Sequence, residues 1–277
     1  MPAIMKECVQ PFYIKDGKIL DCQSFDSGLI NEGKSVYEVA RLSGIQLLFI
    51  EDHLDRLFLS LELAGIKPWI SREYIAGHLE ELISKNQALE GNVKIVMNFR
   101  KAGDQHFLAY FVAHHYPSKE DYTQGVRVIT FQFERLEPNK KIWRPAFRRE
   151  VAEILQKSGA FEALLLDSQE TLTEASKANI FAIRGDEIIT PPGEVILPGI
   201  TRKYVLEACR EMDIPVVKRK ISMNELRNLD GLFLSGTSIH VLPVCRVNDI
   251  VLPSGNPMMK KLMKHLEQII HMHLRLT

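Results

Sequence analysis

Along this chain the apolar positions switch repeatedly between a period of two and a period near 3.6. Residues 12–20 alternate around Asp16-Gly17, the pattern of a β-hairpin, and residues 35–41 and 46–50 predict two further strands around Ser43-Gly44. Leu54, Leu57, Phe58, Leu61 and Leu63 then follow helical spacing, with Asp52 as the expected N-cap. A second helix is expected over 72–85, and strands over 93–98 and 107–113 complete a small α+β domain.

The second half opens with a strand over 126–133, after a polar stretch that reads as a linker. Residues 163–166 are a short apolar run, 168–170 a polar turn, and 180–183 and 188–190 two strands about the turn Gly185-Asp186. Pro191-Pro192-Gly193 breaks the pattern, and Pro198-Gly199-Ile200-Thr201 opens a helix over 202–212. Such a start leaves the N–H groups of Ile200 and Thr201 unpaired at the positive end of the helix dipole, where an anion such as phosphate fits. Residues 257–274 predict an amphipathic packing helix. The expected division is a small domain over 1–115, a linker over 116–125 and a larger domain over 126–277.

Composition narrows the partners. With 35 basic and 35 acidic residues the net charge is zero, so neither nucleic acid nor an anionic membrane is implied. Cys8, Cys22, Cys209 and Cys245 lack metal or CxxC spacing and read as buried thiols in a reducing compartment. The nine histidines show no metal-ligand spacing, so no metal is expected. No apolar run reaches the roughly 18 residues that span a bilayer. The opening MPAIMKECVQPF has no signal-peptide core, which points to the cytoplasm.

Three segments carry a family resemblance. The string T-E-x-S-x-x-N-I-F at 173–181, followed by T-P-P at 190–192 and L-P-G-I-T-R at 197–202, resembles the signature of fold-type IV pyridoxal phosphate enzymes. SVYEVARLSG and EDHLDRLFLSLELAGI upstream resemble that family's N-terminal pattern, and LFLSGTSIHVLPV downstream its second phosphate loop. Branched-chain and D-amino acid aminotransferases and aminodeoxychorismate lyase belong to it. The implied fold is α+β in two domains, a small N-terminal α/β sandwich and a larger, β-rich, barrel-like C-terminal domain with flanking helices. The implied assembly is a homodimer.

The resemblance also assigns roles. Counting back from Gly159-Ala160-Phe161-Glu162-Ala163 puts the lysine that bonds pyridoxal 5'-phosphate at Lys141, with adjacent Lys140 the alternative. That lysine must be neutral to act as nucleophile or base, and Lys140, Arg144 and Arg56 are the cations expected to lower its pKa. Ile142-Trp143-Arg144-Pro145 after it is bulkier and more basic than the family pattern, and Trp143 is expected to wall the cleft. Glu174 would keep the pyridine nitrogen protonated. Ala175, where the family has glycine, and Ala178 put the side-chain hydrogen bonds around it in question. Arg56 from H-L-x-R-L, the Ile200 and Thr201 amides and the Thr237 hydroxyl would hold the phosphate. Ser238 and Ile239 would bind the substrate carboxylate, and Tyr37 resembles the tyrosine near lysine and substrate. Arg202 is expected only to brace its loop. Arg41, Arg100, Lys101, His106 and His240 are each candidates for a second carboxylate, and none matches a specificity motif.

The activity implied is amino transfer between an amino acid and a 2-oxo acid through a lysine aldimine. Two rivals stand beside it: a 4-amino-4-deoxychorismate lyase that eliminates pyruvate, and a non-catalytic relative that binds the cofactor or has lost it.

Overall fold

The computed structural model describes residues 7–101 and 103–276. The chain divides into two compact units, one reaching to His115 and including Lys140–Pro145, the other made of Tyr116–Asn139 and Ala146–Arg275.

In the first unit, β1 (Phe12–Lys15) and β2 (Lys18–Asp21) form the expected hairpin. Its turn places Asp16 at φ 50° and Gly17 at φ 76°, the left-handed pair that a two-residue hairpin turn requires. A short α1 (Gly28–Asn31) leads to β3 (Lys34–Ser43) and β4 (Gln46–Leu47). Next come α2 (Ile50–Leu63), α3 (Arg72–Asn86), β5 (Glu90–Lys101) and β6 (Asp104–Val112). The strands join antiparallel in the order β2-β1-β6-β5-β3-β4. Strand alternation divides the core. Val36, Ala40 and Leu42 of β3 pack with Leu57 and Leu61 of α2 and Leu79 and Leu82 of α3. Tyr37 belongs to a second cluster with Tyr13, Val96, Leu108 and Tyr110.

Two sequence expectations are corrected here. The N-cap of α2 is Phe49, at φ 53°, while Glu51 and Asp52 lie in the first turn. Acidic residues favour the first turn through the helix dipole as well as the cap, so Asp52 marked the end of the helix without marking its boundary. Second, Cys8 and Cys22 are joined in a disulfide with their Cα atoms 6.1 Å apart, whereas Cys209 is a buried free thiol. The β1–β2 hairpin makes residues 14 apart into neighbours, and Cys22 N–H donates to Pro11 O at 2.8 Å. Burial pushes the Cys209 thiol up to about 11, so it stays protonated and inert at neutral pH.

The second unit opens with α4 (Lys119–Gln124), closed by a capping box in which Ser118 and Asp121 satisfy each other's backbone N–H groups. There follow β7 (Val126–Gln132), α5 (Pro145–Ser158), β8 (Glu162–Leu166), β9 (Thr171–Ala175), β10 (Asn179–Arg184) and β11 (Glu187–Thr190). After α6 (Ile200–Glu211) come β12 (Val216–Lys218), β13 (Ile221–Ser222), β14 (Gly231–Gly236), β15 (His240–Val247), β16 (Ile250–Val251) and α7 (Pro257–Leu276). These strands form one mixed sheet in the order β12-β11-β10-β14-β15-β7-β8-β9-β13, with β16 on β15. Its core is aliphatic, with Leu164, Ile180, Ile189, Leu234 and Val244 fully buried. Among the described residues no helix is long and apolar enough to cross a membrane.

Candidate active site

In the first unit the candidate residues gather on β3. Val36, Ala40 and Leu42 face the helices, so Glu38, sharing their parity, must also point into that core. It is fully buried. A carboxylate there persists only if paired, and α2 supplies the partners one turn apart. Arg56 Nε donates to Glu38 Oε1 and Arg56 Nη2 to Oε2, both at 2.7 Å, and His53 Nδ1 lies 2.8 Å from Oε2.

Lys141 reaches the same carboxylate. Its Nζ is 3.8 Å from Glu38 Oε2 and 5.5 Å from the centre of the Tyr37 ring. The backbone sets this placement. Lys141 N–H donates to Ser60 Oγ at 3.3 Å and its carbonyl accepts from Tyr37 N–H at 3.0 Å. Ile142 bridges Val36, and Trp143 N–H donates to Ser35 O at 2.8 Å, so residues 141–143 run along β3 as a short added strand. Ile142 consequently packs on the helix-covered core and Trp143 on the tyrosine cluster. The Trp143 indole meets Tyr37 edge-on at 5.5 Å and donates Nε1–H to Asn31 Oδ1 at 2.9 Å. Lys94, buried on β5, sets its ammonium 3.4 Å from the Trp143 ring centre and 5.4 Å from that of Tyr37, with Glu7 as counter-ion at 2.5 Å. Trp143 is thus a wall for Tyr37 and for a buried cation.

Electrostatics in this cluster are set by crowding. Burial pushes the Glu38 carboxyl up, but Arg56, Lys141 and the hydrogen bonds from Arg56 and His53 outweigh it and hold it far below the carboxylate range. Burial, helped by Arg56 and Lys141, lowers His53 against the pull of Glu38, so its imidazole is neutral at pH 7. The cations expected beside the lysine were Lys140, Arg144 and Arg56; the carboxylate of Glu38 was not foreseen. An acid on the apolar parity of a strand was the available signal.

In the second unit the signature string explains itself. Glu174, buried on β9, accepts Leu197 N–H at 3.1 Å through Oε2, while Asn179 Nδ2 donates to Leu197 O at 2.9 Å. Acid and amide therefore grip the peptide groups on either side of Leu197 and fix the loop that starts α6. A Cβ on Gly199 would collide with Asn179 Oδ1, so a larger residue at this N-cap must displace the amide that holds Leu197 O. We expect Gly199→Ala to displace the loop and lower stability by about 1–3 kcal/mol, read as a drop in Cm in urea. Unchanged Cm would show that the grip on Leu197 is slack.

No side chain caps α6, so the N–H groups of its first two residues, Ile200 and Thr201, face outward without helical acceptors. Asn179 pairs in register with Ser235, which brings the second glycine loop alongside the first. In that loop Ile239 N–H closes the turn onto Gly236 O at 3.2 Å, and Thr237 and Ser238 occupy its half-buried tip. The Ala175 and Ala178 departures prove harmless to the backbone, because Ala175 N–H donates to Ala178 O at 2.7 Å without a left-handed residue.

Glu174 has one partner that sequence reasoning missed. Arg135 Nε sits 2.6 Å from its Oε1, an ion pair by distance whose N–H is not aimed along the contact. Arg202 is buried and donates Nη2–H to Pro191 O at 2.9 Å, bracing the T-P-P segment as expected. The structure thus brings Arg56 and Lys141 to Glu38, with the Tyr37 ring beside the Lys141 amine, and gathers Glu174, Ile200, Thr201, Thr237, Ser238 and Ile239 around the start of β10.

Comparison with known proteins places these motifs. The Amino-transferase class IV family model matches residues 35–247. A D-alanine aminotransferase of Bacillus licheniformis is 29% identical over 81% of this chain and 83% of its own length. The branched-chain amino acid aminotransferase of Escherichia coli superposes with a TM-score of 0.83 at 20% identity, over 95% of both chains. A putative 4-amino-4-deoxychorismate lyase from Legionella pneumophila gives 0.76 at 23% identity, over 85% of this chain and 91% of that one. At those identities the two structures share the fold.

Proposed function

Because this chain belongs to the class IV aminotransferases, we propose that it moves an amino group between an amino acid and a 2-oxo acid with pyridoxal 5'-phosphate held at Lys141. The supporting observation is the placement of that amine. Its backbone is tied to β3 and α2, and its Nζ lies in a buried cluster with Arg56 and Tyr37.

The residues present suit the cofactor. A doubly charged ester needs donors; in the second unit these are the uncapped amides of Ile200 and Thr201 and the Thr237 hydroxyl, and in the first unit the matching cation is Arg56, held by Glu38. A protonated pyridine nitrogen needs an anionic acceptor for its N–H, and Glu174, ion-paired with Arg135, supplies a carboxylate for that hydrogen bond. Bound pyridoxal phosphate supplies an aldehyde that condenses with amines and a ring that delocalises the electron pair left when a Cα–H bond breaks. Lys141, as a free base, would take the proton from the substrate Cα and hold it on its Nζ for return to the substrate–cofactor carbon skeleton. Tyr37 and Trp143 exclude water beside the amine, and the loop at Ser238 orients the substrate carboxylate, the Ile239 N–H being engaged within that loop by Gly236 O. The working form in this reading is a cytoplasmic homodimer.

The visible spectrum of the purified protein before and after adding amino acids tests this proposal, together with borohydride reduction and peptide mapping. A pyridoxyl group on Lys141 and bleaching by an amino donor are expected. A group on Lys140 would move the role one residue, and a coloured protein inert to all donors would leave only a binding protein. Pyruvate released from aminodeoxychorismate without amino transfer would establish the lyase, the reading favoured by the Legionella pneumophila likeness.

A further inference from the structure

Glu38 has no part in the reaction as described above, yet it is the most enclosed ionised group in the first unit's cluster. Its two oxygens meet four nitrogens: Nε and Nη2 of Arg56 at 2.7 Å, Nδ1 of His53 at 2.8 Å and Nζ of Lys141 at 3.8 Å. We propose that Glu38 is a positioning residue of this site, one buried carboxylate that anchors the Arg56 guanidinium by both oxygens and steers the Lys141 amine to the same point. The inference rests on the reading of Lys141 as the cofactor lysine.

Charge counting gives the proposal its content. Arg56 is always a cation and takes both carboxylate oxygens, so the pair is balanced before the amine is considered. His53 is neutral, and Lys94, the other cation near Tyr37, has Glu7 as counter-ion. Arg56 thus already answers the Glu38 charge through both oxygens, and the Lys141 amine approaches the same carboxylate as its second cationic neighbour. Glu38 and Arg56 pull the amine's titration in opposite directions, and their fixed ratio sets how readily Lys141 becomes a nucleophile. An acidic residue here keeps the amine oriented while the arginine keeps it from being locked as an ammonium.

Competitive labelling of Lys141 with acetic anhydride across pH, read by mass spectrometry on cofactor-free protein, measures that titration directly. In Glu38→Gln the midpoint is expected to fall by about one to three pH units, and in Arg56→Gln to rise by about one or more. Glu38→Asp keeps the charge and is expected to return the midpoint most of the way to the original value. A role confined to packing moves neither midpoint. Equal midpoints in the original protein and Glu38→Gln, or shifts of the same sign in the Gln variants, overturn the proposal. Should Glu38→Gln fail to fold, the sign in Arg56→Gln decides: no rise overturns it. Borohydride mapping of the loaded original protein tests the lysine assignment separately, since a tag on Lys140 defeats that reading whatever the titrations give.

Discussion

Replacing Lys141 by alanine is expected to lower kcat for amino transfer by about 10⁴-fold, the upper end of what one positioned proton carrier contributes. The loss is chemical because the fold around it does not depend on the side chain. The neighbouring backbone is held by Ser60 Oγ on the Lys141 N–H, by the Tyr37 N–H on its carbonyl and by the Ile142–Val36 bridge. Glu38 keeps Arg56 and His53 when the amine is gone, so no buried charge is left unpaired. Single-turnover mixing with an amino donor, followed at the cofactor's absorbance, separates the chemical step from binding. A thermal midpoint close to the original should accompany the loss, and small added amines should restore part of the rate. Retention of a tenth of kcat would remove Lys141 from the chemistry, and Lys140→Ala would then be the informative variant.

Much of this arrangement is legible in the sequence, for reasons that differ from element to element. The hairpin at Asp16-Gly17 and the turn at Gly185-Asp186 announce themselves because few residues tolerate left-handed backbone. The string from Thr173 to Arg202 was legible as a family pattern, but its cause was hidden. Glu174 and Asn179 are five residues apart and act together only because both reach Leu197. Contacts of that kind depend on register, which local periodicity does not carry. The disulfide and the grouping of Lys140–Pro145 with the first unit were hidden for the same reason. Glu38 is the instructive miss. Its parity put it on the apolar face of β3, and His53 and Arg56, three residues apart on α2, were its natural partners.

Those partners make Arg56 the cation whose removal leaves the Glu38 charge most exposed to burial without compensation. Arg56→Leu leaves a fully enclosed Glu38 with its bidentate partner gone, and removing one member of a buried pair costs about 3–5 kcal/mol. The pH dependence follows from the direction of the Glu38 shift. Despite burial, the cations hold its folded carboxyl far below its ordinary value of 4.5, so it contributes stability in full above that value and loses it as pH falls towards the folded one. Without Arg56 the strongest lowering influence disappears and burial moves the folded value upward. The gap between the original protein and the variant is therefore widest at pH 7 and narrows as pH drops through 4.5. Urea unfolding at pH 7 and pH 4 measures it. Adding Glu38→Gln to Arg56→Leu should recover part of the loss at pH 7, because the orphaned charge is then gone. A loss below about 1 kcal/mol at pH 7, within the range of exposed pairs, would mean that water reaches the pair and that Glu38 is less enclosed than its contacts imply.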